Sequence, residues 1–165
     1  MDDFDTIDDH FASHARLLAA VRAAALSELA RAIEAELAGL PAAPPAEHAR
    51  ASLRAVGSAY LRFALEETGL FRTAFSTPEP VGDDQDQPRA GDSGLNPFQL
   101  LGRALDQMVE TGVLGSERRA GAEYLAWSAV HGMAFLVIDG PLHGAPGPRI
   151  AALSERLLEM VEKGL

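Results

Sequence analysis

A chain of 165 residues is long enough to bury one substantial core but too short for two full-sized domains. It holds no cysteine, which excludes a disulfide framework, a zinc–thiolate site and a thiol nucleophile, and fits a cytoplasmic setting. The net charge is -10 and no segment shows the clustered lysine and arginine that a phosphate-binding surface requires, and the opening "MDDFDTIDDH" is acidic where a secretory signal is basic and then apolar.

The excess acid lies in two places. Residues 1–10 hold five aspartates, residues 79–94 hold five acids against one base, and the rest is nearly balanced. The chain therefore divides into an acidic N-terminal segment at 1–10 and one domain at 11–165, interrupted by a mobile acidic loop at 77–96. The first predicted helix covers 11–40, with Leu18, Val21, Ala25, Leu29, Ile33 and Leu37 recurring at helical spacing, Ser13 as N-cap, and Gly39 then Pro41 as the stop. After "PAAPPAEH", a second helix over 47–67 places Leu53, Val56, Tyr60, Phe63 and Ala64 on one side, and Gly69 is expected to break it. "LFRTAFS" then adds a short turn. Phe63, Phe71 and Phe75 serve equally as plain core or as the wall of an apolar cavity.

Residues 77–96 are polar, acidic and rich in proline and glycine, too poor in apolar surface to offset their ordering entropy. Helix resumes at "PFQLLGRALDQMVETGVL", with Asn96 as N-cap, Pro97 at the first helical position and Gly112 near the stop. Another helix begins after Ser116 and ends at Gly140-Pro141. A last amphipathic helix carries Ile150, Leu153, Leu157 and Val161 along one side. No segment alternates with period two, so the fold class is all-α, a bundle of five or six helices.

The stretch "YLAWSAVHGMAFLVIDGPL" at 124–142 lacks formal charge until Asp139, yet its uncharged run is shorter than the ~20 apolar residues a membrane span needs. Apolar on every side, it must be covered all round, by the protomer or by a second subunit. Small residues Ala122, Ala126, Ala129 and Gly132 allow close approach of a neighbouring helix, and the last helix offers a second stripe. Two helices from each of two subunits then make a four-helix interface, with Ala126, Ala129, Met133, Val137, Leu153 and Leu157 as its expected residues. A monomer with a central core helix is the alternative. Ser128, His131 and Asp139 do not make a hydrolase: the serine is mid-helix, without an exposed elbow or an oxyanion site. His10 and His14 stand four apart but lack a third ligand, so no metal and no cofactor is expected.

"WSAVHG" at 127–132, followed by "MAFLVIDGPL", resembles the tryptophan-histidine-glycine signature of the WHG-type C-terminal domain of TetR-family transcriptional regulators. "YLRFALEETGLFRTAFS" and "LDQMVETGVL" are similar to that family's segments before the signature, and "HFASHARLLAAV" to the junction between recognition helix and linking helix. The resemblance implies a homodimer whose helices enclose a small apolar effector, with Phe63, Phe71, Phe75, Met108, Tyr124, Trp127 and His131 around it. It also implies a DNA-binding helix-turn-helix, of which only a remnant would fall at 1–10, where Asp8 and Asp9 stand in place of an aromatic and a basic residue. DNA binding is thus expected only if a missing helix-turn-helix is supplied. The second reading is a headless interaction protein that pairs with itself or with a full-length regulator and takes no ligand.

Overall fold

The structure is a computed structural model and describes residues 3–76 and 87–165, with side chains from His14 to Ser76 and from Pro88 to Leu165. Six α-helices and no strand occur among them: α1 (Asp3–Ala38), α2 (Pro45–Glu66), α3 (Thr68–Ala74), α4 (Pro97–Glu110), α5 (Ala122–Ile138) and α6 (Gly147–Gly164). Among the described residues, no helix is long and apolar enough to cross a membrane.

α1 starts ten residues before the expected cap at Ser13, because nothing between Asp3 and Ser13 breaks a helix and acidic residues suit its first turns. Its stripe also behaves in two ways. Ala25, Leu29 and Ile33 are buried, whereas Leu18 and Val21, expected in the core, are 47% and 41% exposed, as is Leu17 at 61%. Residues 14–21 are thus all exposed, and burial of the rod by other helices is seen from Arg22 onward. α2 crosses α1 and supplies the middle of the core. Gly57 lets α6 approach closely, since a Cβ there would lie 2.4 Å from Leu158 Cδ2. The break after α2 falls at Glu67 rather than Gly69: the backbone leaves helical angles at Glu67, and Gly69 lies inside α3.

α4 opens as its sequence requires. The Asn96 side chain accepts from the Gln99 amide at 2.8 Å while Gln99 Oε1 accepts from the Asn96 amide at 2.9 Å, with Pro97 first in the helix. Gly112, at φ +72°, ends it, and Leu114 folds back into the core beside Met108. The helix expected straight after Ser116 begins later. A 3-10 turn at Ser116–Arg118 intervenes, and α5 starts beyond Gly121.

Part of the loop expected to be mobile, residues 77–86, lies outside the described residues. Residues 87–96 are docked on α1. Ser27 Oγ donates to the Ala90 carbonyl at 2.6 Å, and the Glu34 carboxylate accepts from the Asp92 amide at 2.8 Å, the Ser93 amide at 3.0 Å and Ser93 Oγ at 2.5 Å. Gly91 makes room for this: a Cβ there would meet Glu34 Oε2 at 2.5 Å. Polar composition pointed to disorder, but one carboxylate satisfying three donors anchors the turn without apolar burial. Burial alone would raise the Glu34 carboxyl, but the bonds from Ser93 and Asp92, with Arg31 nearby, outweigh it and hold the pKa below its ordinary value. A lowered folded-state pKa makes this anchor fully effective above the unfolded carboxylate pKa, and it is lost as pH falls through the folded one. Protection of the Asp92 and Ser93 amides, taken relative to the intrinsic exchange rate at each pH, should therefore fall on acidification through the carboxylate range, leaving them in fast exchange for that pH. Glu34→Gln should show the fast exchange already at neutral pH; unchanged protection in that variant would dismiss the anchor.

Candidate functional site

A cavity of about 600 Å³ opens between α1, α2, α4, α5 and α6. Its apolar lining includes Leu26 and Ile33 from α1, Leu53 and Val56 from α2, Leu101 from α4, Val130 from α5 and Leu158 from α6. One side is aromatic: Tyr60, Phe75, Phe98, Tyr124, Trp127 and His131 all line it. Phe75 lies 6.0 Å from the Trp127 ring and 5.0 Å from His131, and Phe98 lies 5.4 Å from Tyr124 and 6.1 Å from Trp127, centroid to centroid. These are the offset and edge-on separations that aromatic quadrupoles favour. A side-chain pair between Arg72 and Asp139 ties α3 to the end of α5 and so holds Phe71 and Phe75 against that helix.

The polar groups of this wall are joined in one chain. Trp127 Nε1 lies 3.0 Å from Tyr60 Oη, and Tyr60 Oη lies 2.7 Å from His131 Nδ1. An indole N–H can only donate, so the Tyr60 oxygen accepts it, and among the described residues His131 Nδ1 is the acceptor within reach of the Tyr60 hydrogen. With the hydrogen assigned there, His131 is the neutral Nε2–H tautomer. Electrostatics agree with that assignment. Burial pushes the Tyr60 hydroxyl far above its ordinary value despite the indole bond, and burial pushes the His131 imidazole below its own. The wall is uncharged, with its polar atoms turned mainly toward one another.

Four of the seven residues expected around an effector are here: Phe75, Tyr124, Trp127 and His131. Three are not. Phe63 and Met108 are buried at 6% and 1% exposure in the core, and Phe71 stands behind the wall, 5.7 Å from Tyr60 and 5.6 Å from His131. Helical spacing shows that such residues turn inward, but not whether they meet space or other side chains. Among the cavity residues not foreseen are Tyr60, Phe98, Leu26, Arg22 and Arg89; Tyr60 was visible as an inward position of α2, the others carried no periodic signal. Of the residues expected at a subunit interface, Ala126 lines this cavity and Met133 is 8% exposed, both inside the protomer. Val137, Leu153 and Leu157 are half-buried against the core, and Ala129 is partly exposed.

Ser128 Oγ donates to the Leu125 carbonyl at 2.9 Å, His131 Nδ1 is occupied by Tyr60, and Asp139 is engaged by Arg72. The three do not form a relay. A family model described as the tetracyclin repressor-like (TetR) C-terminal domain matches residues 53–161. The chain belongs to this family. The match runs from Leu53 in α2 to Val161 in α6 and contains every cavity-lining residue except Arg22, Leu26 and Ile33 of α1. No curated protein and no solved structure matches the chain. The TetR-like C-terminal domain is a non-enzymatic regulatory fold, and domains of this family typically dimerise and bind small effectors.

Proposed function

We propose that this TetR-like domain senses a small, largely apolar effector in the cavity beneath Trp127 and dimerises through α5 and α6. The cavity carries the reading: about 600 Å³ of space with an aromatic wall matches the size and lining of a small-molecule site. Phe75, Phe98 and Trp127 supply faces for an apolar body, and the His131 Nε2–H, the one donor of the triad not already used within it, supplies a polar contact.

The outer side of α5 supports self-association. Leu125, Phe135 and Leu136 are exposed at 63%, 57% and 40%, with Ala129 and Gly132 between them on the same face, and Met160 of α6 is 59% exposed. These replace Ala126 and Met133 as the residues a partner would meet. DNA contact belongs, in this reading, to a helix-turn-helix supplied outside these residues, and α1, which lines the cavity with Arg22, Leu26 and Ile33, is the rod that would transmit a change of occupancy toward it.

Trp127 is the sole tryptophan, so its emission reports on the cavity without labelling. Titration with a panel of small aromatic and alicyclic compounds should give saturable changes for some members, with a matching rise in melting temperature from preferential binding to the folded state. No response across the panel in either measurement would remove the sensing reading and leave the ligand-free interaction protein.

A further inference from the structure

The cavity is not uniformly apolar. Its charged lining residues are Arg22, Arg54 and Arg89, and among the described residues no aspartate or glutamate lines it. Arg54 belongs to the α2–α6 wall, where Glu155 at 2.7 Å and Glu162 at 3.4 Å meet its guanidinium. The other two belong to the α1–α4 wall. The Gly91 amide donates to the Leu95 carbonyl at 2.9 Å, which closes the turn between Arg89 and Asn96, both of which line the cavity. The Ser27 bond to Ala90 presses the same turn onto α1, where Arg22 and Leu26 share a face one helical turn apart. Arg22 is only 7% exposed. α4 begins at this place too: Asn96, Pro97 and Phe98 line the cavity, so the positive end of a 14-residue helix dipole adds to the two guanidiniums.

The geometry points to an effector that is an aromatic acid, its ring against Phe75, Phe98 and Trp127 and its carboxylate directed to Arg22 and Arg89. Both arginines have other interactions within the chain. A guanidinium offers five N–H donors, however, so a ligand carboxylate is a further acceptor rather than the first. Inside a wall of low polarity such charge-assisted bonds gain strength relative to water. The whole chain carries -10, which repels anions at long range. A preference for an acid over its neutral isostere therefore cannot come from net charge and reports on the cavity alone.

This inference rests on the effector reading above, and a matched pair of compounds separates the two. 4-Butylbenzoate and 4-butylbenzamide have nearly the same shape and differ in charge. Trp127 fluorescence and calorimetry at neutral pH should show the benzoate binding at least roughly tenfold more tightly. Arg22→Gln and Arg89→Gln should each remove most of that preference while leaving the benzamide affinity unchanged, which also shows that the variants are folded; Arg22→Lys should retain part of it. If Arg22→Gln fails to fold, Arg89→Gln decides. Equal binding of the two compounds, or a preference that survives both arginine changes, overturns the acid-binding assignment and leaves the sensing function standing. Binding of neither, while other members of the panel bind, likewise overturns only the acid-binding assignment; no binding by any compound overturns both.

Discussion

Phe135→Asp is expected to convert the dimer proposed above to monomers. Phe135 is 57% exposed on a single protomer, on a face shared with Leu125, Gly132 and Leu136, so its ring is not needed to fold one copy. A surface substitution of that kind changes protomer stability by only about 0.5 kcal/mol. At a two-fold interface the same change occurs twice, and each replacement of a central aromatic by a carboxylate loses at least about 2 kcal/mol and brings in an unpaired charge. Together that is roughly 4 kcal/mol, or about a thousandfold in the dimer dissociation constant. Sedimentation or light scattering across a concentration series measures this directly. Leu17→Asp is the matched control. It places the same charge on the exposed stripe of α1, away from α5 and α6, and should leave the dimer intact. If Phe135→Asp remains dimeric while Leu17→Asp dissociates, the association runs through α1 and the proposed interface is wrong.

The unforeseen half of the proposed interface shows what sequence can and cannot decide about a helix. α4 has a sharply one-sided pattern, and its inward residues Leu101, Ala104, Leu105 and Met108 follow from spacing alone. Its cap was equally readable, because Asn96, Pro97 and Gln99 act on backbone groups next to them in the chain. α5 is apolar on every side, so spacing gives no preferred direction. Small residues suggested Ala126 as a contact for another subunit, yet what placed Ala126 inward was the position of α2 and α4, known only once the fold is built. The aromatic wall divides in the same way. Trp127 and His131 were recognised from a local motif, whereas their partner Tyr60 stands 67 and 71 residues away, and an apolar spacing made it look like ordinary core. The docking of residues 87–96 was hidden for a related reason: a carboxylate accepting backbone N–H bonds from a distant turn leaves no trace in composition.

Tyr60→Phe removes one oxygen and disconnects that wall. The ring remains, so packing against Phe71 and Phe75 is preserved and no cavity is added. The loss is confined to two bonds, the one Tyr60 accepts from Trp127 and the one it donates to His131. Each leaves a polar atom facing an apolar surround, at about 1–3 kcal/mol per group when no water replaces the partner. Both groups border an open cavity that water can enter, which places the expected destabilisation near the lower end, roughly 2 kcal/mol by chemical denaturation at one fixed protein concentration. The pH dependence gives a second reading. In the parent, burial holds the His131 pKa below the ordinary imidazole value. The unfolded chain therefore binds the proton first, and this contribution to stability is complete above about pH 6.5 and declines as pH falls from there to the folded-state value. With the phenol gone, Nδ1 no longer has a donor that favours the neutral ring, so the His131 titration followed by NMR should move upward and the acid-side decline should become shallower. A variant as stable as the parent, with His131 titrating unchanged, would mean that the tyrosine hydrogen does not go to that nitrogen, and the neutral Nε2–H tautomer offered to an effector would have to be abandoned with it.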